Sequence, residues 1–230
     1  MKKLPKILVF LILGVFLVGG SAMALPVLEP GYHWTSQPYW HCTDLTTATS
    51  GNSGFQIRLE NASYESDFGL FLPNDLSNPT SVSKKFQVFD YLQGPIDDQT
   101  IYFKDSGSGW EISNDNSSWT EFDSVFGFYF DVHTGGTGDA TADYSFYSDA
   151  SLNSVDVGLP HVIMAFNGIS EAFIYLDDQL AETPADWDYD DMTVKVNDVA
   201  PIPEPATMLL LGSGLIGLAG LGRKKFFKKS

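Results

Sequence analysis

The chain has 230 residues, a formal net charge of -16 and one cysteine, Cys42. The acidic excess makes nucleic acid and anionic phosphate groups poor partners and divalent cations good ones. A lone cysteine excludes an internal disulfide, so stability must come from an apolar core or from bound metal, and the thiol is either buried or available to another chain.

The first element in chain order is an export signal. Lys2, Lys3 and Lys6 precede the apolar stretch 7–18, and Gly19-Gly20-Ser21 and Ala22-Met23-Ala24 follow. That order of charged, apolar and small residues reads as a secretory signal peptide over 1–24, with cleavage expected after Ala24 and an uncleaved N-terminal anchor as the alternative. The body, residues 25–200, holds five basic residues (Arg58, Lys84, Lys85, Lys104 and Lys195) against 28 acidic ones, a formal charge of -23. It is long enough for one domain with a sizeable core. In exported proteins such charge also serves solubility.

Residues 25–54 are rich in Pro, Thr, Ser and Gly and read as irregular, with one edge strand at most. Apolar and polar residues alternate over 55–59, the mark of a half-buried strand. Further strands are expected over 64–72, ended by Pro73-Asn74-Asp75, then over 85–92 and 100–104. Trp110-Glu111-Ile112 pairs with 119–122 across Asn114-Asp115-Asn116. The strongest strand is 125–132, with Phe126, Phe128 and Phe130 on one face and Gly127, Tyr129 and Asp131 on the other. After a glycine-rich turn come 144–147, 161–166, 172–176 and 192–196; 181–186 makes a short helical turn at most. Short strands, frequent turn signals and no amphipathic helix of ten residues predict an all-β fold, a single antiparallel β-sandwich, jelly-roll-like. A signal helix and a C-terminal transmembrane helix flank it.

The residues that point to chemistry are acidic. Asp186, Asp188 and Asp190 project to one side of an extended segment, with Asp191 beside them and Asp177-Asp178 across a hairpin loop. Carboxylates gathered this way repel, and a hard cation reverses the sign. Calcium accepts six to eight oxygen ligands in flexible geometry. The spacing fails as an EF-hand, because Asp191 stands where glycine is needed and Asn197 where glutamate is needed. Taken alone, the cluster is equally a solvated acidic loop. Asp139 with Asp143 is a weaker cation candidate, and His33, His41 and Cys42 lack the second cysteine pair of a zinc site. His161 and His133 read as packed imidazoles.

Residues 144–197 are similar to the closing part of an uncharacterised β-rich domain of exported bacterial proteins. Phe146-Tyr147-Ser148-Asp149-Ala150-Ser151-Leu152-Asn153, His161-Val162-Ile163-Met164-Ala165-Phe166 and the stretch 186–196 carry the likeness. In that family the last piece reads Asp-x-Asp-x-Asn-Asp; here Asp190 replaces the Asn. The resemblance implies calcium, with Asp177, Asp178, Asp186, Asp188, Asp190 and Asp191 as ligands.

The tail, 201–230, begins with Pro201, Pro203 and Pro205, which stop any preceding element and hold the chain extended. The uncharged run 206–222 spans about 25 Å as a helix, the short end of a membrane crossing. Arg223-Lys224-Lys225 and Lys228-Lys229 keep its end in the cytoplasm. Pro203-Glu204-Pro205, the Leu/Gly-rich run and the basic cluster resemble the PEP-CTERM sorting signal of bacteria with two membranes. The resemblance implies export through the inner membrane, transient anchoring, and removal of the tail by a membrane enzyme, exosortase. The end point is the cell surface or an extracellular polysaccharide layer. An ordinary C-terminal anchor is the plainer alternative, and the Pro-Glu-Pro placement argues against it.

Nucleophile-elbow, zinc-protease and phosphate-loop motifs are absent from the sequence. The expected function is a non-catalytic structural or adhesive surface component with a calcium site near its C-terminal end. The alternatives are a carbohydrate-binding module, using Trp34, Trp40, Trp110 or Trp119 to stack on sugars, and a glycan hydrolase using a carboxylate pair.

Overall fold

A computed structural model describes residues 25–44, 50–60, 64–135, 141–181 and 187–203. The expected signal helix and transmembrane helix lie outside these residues. Among the described residues no helix is long and apolar enough to cross a membrane.

The chain folds into β1 (His33–Thr35), β2 (Trp40–Cys42), β3 (Ser50–Glu60), β4 (Glu65–Pro73), β5 (Val82–Phe89), β6 (Asp98–Asp105), β7 (Trp110–Ser113) and β8 (Thr120–Phe122). Then follow β9 (Val125–His133), β10 (Tyr144–Tyr147), β11 (Val162–Phe166), β12 (Glu171–Leu176), β13 (Met192–Asn197) and β14 (Val199–Pro201). Every pairing is antiparallel. One sheet runs β1-β11-β12-β13-β3-β6-β7-β8; the other runs β14-β2-β9-β4-β5, with β10 also on β9. The fold is all-β, two sheets over one core, consistent with a β-sandwich.

The alternation in β9 produces the core. Phe126, Phe128, Phe130 and Val132 are wholly buried in it, with Phe68 and Leu70 from β4 beside them. The facing sheet supplies Phe55, Ile57, Ile101, Phe103, Ile174, Val194 and Val196. Phe103 stacks on Phe126 at 5.4 Å and Phe55 meets Phe68 at 6.0 Å, joining the two sheets. Each such side chain contributes about 1.5–3 kcal/mol. Cys42 is buried in the same core, so its thiol is a packing group.

The outer face of β9, which carries Gly127, Tyr129 and Asp131, is also covered. Phe71, Tyr129 and Tyr147 cluster there with Tyr39 and Leu152. The Lys85 ammonium lies 4.5 Å from the Tyr129 ring centre. Glycine makes this possible. In the β4–β9 register Gly69 faces Tyr129 and Phe71 faces Gly127, so each ring lies across a residue without a side chain. On the other sheet, Leu28 and Tyr32 of the N-terminal segment cover Phe173 and Tyr175.

Two regions depart from the reading of the sequence. Residues 25–54 hold β1, β2 and the first half of β3, and Trp40 of β2 is wholly buried. The prolines after residue 200 do not end the fold. β14 pairs with β2 through Pro201↔Trp40, at the sheet edge where proline is tolerated.

A Cβ at Gly69 meets the Phe86 carbonyl oxygen and the Tyr129 ring. Gly69→Ala is therefore expected to destabilise the fold by about 1–3 kcal/mol, the usual result of overpacking. Denaturant unfolding measures it, and an unchanged midpoint contradicts the packing described.

Candidate functional site

The hairpin β12–β13 closes with Leu176 opposite Met192. Asp177 and Asp178 follow the one, and Asp191 precedes the other. Register alone therefore brings the two acidic ends together at the mouth of the hairpin. Asp177 and Asp178 are wholly buried and Asp191 is 5 % exposed.

Their backbones and oxygens are ordered by neighbours. The Asp178 N–H donates to Asp191 Oδ2 at 2.7 Å, and the Tyr64 N–H donates to Asp178 Oδ2 at 3.2 Å. The Tyr144 hydroxyl donates to the Asp178 carbonyl at 2.9 Å. The Gln179 N–H donates to Asp177 Oδ1 at 3.1 Å. Asp178 Oδ1 is buried without a hydrogen-bond partner. Burial first, and the Asp191 charge second, push the Asp178 carboxyl up to about 8. Four of the body's five basic side chains are engaged elsewhere, in Lys84–Glu121, Lys85–Asp131, Lys104–Glu111 and Lys195–Glu171.

The structure thus divides the predicted ligand set. Asp178 and Asp191 meet at the mouth of the hairpin, and Asp177 is buried next in sequence. Asp188 is half-buried and accepts the Asp190 N–H at 3.3 Å, while Asp190 is exposed. Asp186 lies outside the described residues. Among the described residues no three His, Cys, Asp or Glu side chains are grouped for metal. Trp187 and Tyr189 alternate with these acids and both take left-handed backbone, φ 54° and 58°. Such strain in bulky residues persists only where surrounding contacts enforce it. The Tyr189 hydroxyl donates to the Pro160 carbonyl at 2.8 Å, and Trp187 lies 4.9 Å from the His161 ring.

His161 is the packed imidazole its apolar strand suggested. It is wholly buried and stacked on Phe146 at 3.9 Å, with Nε2 3.2 Å from Asp156. Burial pushes its pKa down, so the ring is neutral at pH 7. His133 is likewise buried, 3.3 Å from Asp67. Asp143 accepts the Thr134 N–H and hydroxyl as a turn cap, and Asp139 lies outside the described residues. Of the tryptophans proposed for sugar stacking, Trp40 is core; Trp119 carries the Lys104 ammonium 4.0 Å from its ring centre. Sequence reasoning did not find Tyr64 and Tyr144, which meet Asp178 from β4's approach and from β10; only the tertiary fold brings them there.

Pro203 is described at the exit of β14; Glu204, Pro205 and the cleavage position Ala24 lie outside the described residues. A family model described as the PEP-CTERM protein-sorting motif matches residues 201–224. No curated protein and no solved structure matches the chain. The tail match supports an exported protein, held transiently in the membrane, processed by exosortase and left at the cell surface. Apart from Pro201 and Ile202 at the end of β14, it does not extend into the β-rich body.

Because the native state holds a proton on Asp178 up to about pH 8 and the unfolded chain releases it near 3.8, stability falls as pH rises through that window. The neutral His161 acts in the opposite sense only below about 6.5. In chelator, the melting temperature is expected to drop between about pH 6.5 and pH 8.5, and Asp178→Asn to flatten the drop. A flat wild-type profile refutes the burial assigned to this carboxyl.

Proposed function

We propose that this exosortase-sorted protein is a non-catalytic structural or adhesive component of the cell surface, whose last hairpin is closed by a divalent cation. Calcium is the best match. It takes oxygen ligands only, tolerates irregular geometry and retains water where protein ligands are few.

The observation that carries the reading is the orphaned oxygen of Asp178. Asp178 Oδ1 is buried and receives no N–H or O–H from a neighbour; the Asp191 carboxylate can share a proton with Asp178 but cannot answer its charge once that proton is lost. A buried polar atom left without a partner costs about 1–3 kcal/mol, more if charged. Asp178 and Asp191 would hold the ion, and water would complete its shell. Bound there, the ion supplies charge neutralisation and a bridge between the ends of β12 and β13. With two protein carboxylates the affinity falls in the range of extracellular calcium modules, a Kd of about 10⁻⁴–10⁻³ M.

A non-catalytic role agrees with the burial of both histidine–carboxylate pairs. The rings of His161 and His133 are buried, each against a carboxylate, Asp156 or Asp67, that is mostly buried. Polysaccharide at the surface is a compatible environment for such a protein.

The test is thermal melting of the intact protein at pH 8 with chelator and with calcium. A cation at about ten times its Kd adds about 1.4 kcal/mol, which for a domain of this size is a rise of about 3–6 °C. Asp191→Asn keeps an acceptor for the Asp178 N–H but removes a charge. It is expected to raise the melting temperature in chelator and to abolish the calcium response. No calcium shift in the wild type removes the cation from the reading.

A further inference from the structure

The sorting motif leaves the fold without a spacer. β14 is hydrogen-bonded to β2, and beyond it the Ile202 N–H donates to the Tyr39 carbonyl at 2.8 Å. The matched motif begins at residue 201, so its first two residues belong to the sandwich. The uncharged run begins at Ala206, three residues past Pro203. An extended chain covers only about 10 Å in three residues. A membrane enzyme that takes Pro203-Glu204-Pro205 therefore meets the folded body directly.

At this exit lies an apolar groove of about 360 Å³, with Tyr39, Leu76, Pro79, Val125 and Ile202 in its walls and Pro203 at its rim. Its walls are preformed. The Tyr39 hydroxyl donates to Asp149 at 2.8 Å. The loop bearing Leu76 is closed by Asn74, whose side-chain oxygen accepts the N–H groups of Thr80 and Ser81. Leu76 is 44 % exposed on that hydrogen-bonded turn. An exposed apolar side chain on a hydrogen-bonded turn beside a hollow suits a protein contact, because little backbone ordering entropy is lost on binding. The charge around it disfavours an anionic lipid surface: Asp149 lines the groove, Asp75 adjoins Leu76, and no lysine or arginine lines it.

We propose that this groove is the docking surface for the exosortase-type enzyme itself, an apolar contact that holds the motif at the enzyme while the tail is removed. The proposal rests on the reading of the tail as an exosortase substrate, and it adds a recognition element in the folded body to the one in the tail.

Full-length protein is followed by pulse–chase in a host that makes the enzyme, reading the mass lost with the tail. Leu76→Asp touches an exposed side chain and is expected to slow processing about fivefold to tenfold, the effect of losing one well-packed interface residue, with an unchanged melting temperature. A ten-residue Gly/Ser insertion between Ile202 and Pro203 frees the motif from the groove. It is expected to slow processing similarly, and Leu76→Asp in that background to add nothing further. Wild-type processing of Leu76→Asp overturns the proposal. So does an undiminished Leu76→Asp effect in the spacer background, or a loss that tracks a lower melting temperature, which places the effect in the fold or in the chain's own tail. Replacement of Pro203, Glu204 and Pro205 by alanine is the control: normal processing of that variant sinks the exosortase reading itself, whereas blocked processing with an indifferent Leu76→Asp sinks only the groove.

Discussion

The burial of Asp178 is the constraint on which the rest of the site depends. A carboxyl enclosed by protein, with Asp191 against its own N–H, cannot carry its charge uncompensated. Two unit charges about 4 Å apart repel by about 4 kcal/mol even at an effective dielectric of 20. A proton or a cation must answer that charge. The surroundings offer the proton at neutral pH, and the proposed cation would take its place at higher pH, because the carboxyl sits near 8. The hairpin β12–β13 is held elsewhere by ordinary ladder bonds, so its mouth is where solution conditions enter the fold.

That mouth is mechanically close to the tail. β13 lies in the larger sheet and β14 in the smaller, and Asp198 alone separates them, in left-handed backbone at φ 59°. The Asp198 carbonyl accepts the Thr43 N–H at 2.7 Å and the Ser53 hydroxyl at 3.3 Å, fixing the corner. From the acidic hairpin the chain thus runs through one strand, one pinned corner and one edge strand to the sorting motif. With no disulfide available, the aromatic core around β9 and this chain of hydrogen bonds keep the exit of the tail in place.

Much of this was legible in the residues. The Phe126, Phe128 and Phe130 alternation gave its strand and its core face, and the acidic pairs at the ends of two apolar strands marked the hairpin mouth. Pro203-Glu204-Pro205 with its apolar run and basic end identified the sorting signal. Other features were hidden for physical reasons. β2 is three residues long in a segment rich in turn formers, and its strand character comes from Val199 and Phe126 on either side. β14 contains a proline that forbids a central strand but not an edge. The cover over the outer face of β9 was hidden because Gly127, Tyr129 and Asp131 gave no sign of the rings of Phe71 and Tyr147, which reach it from other strands. The split of the acidic set was invisible as well. Alternation in an extended segment puts Asp188 and Asp190 with Asp186, whereas the left-handed turns at Trp187 and Tyr189 break that extension.

The most direct test of the central claim uses terbium, an oxygen-seeking ion that occupies calcium sites and emits when an aromatic ring nearby absorbs. Tyr144, bonded through its hydroxyl to the Asp178 carbonyl, is such a ring, with Tyr189 and Trp187 on the neighbouring loop. Excitation of the aromatic residues at neutral to alkaline pH should give sensitised terbium emission that calcium competes away and that Asp178→Asn abolishes. Emission that is absent, or that survives Asp178→Asn unchanged, would show that the buried carboxyl pair is answered by a proton alone.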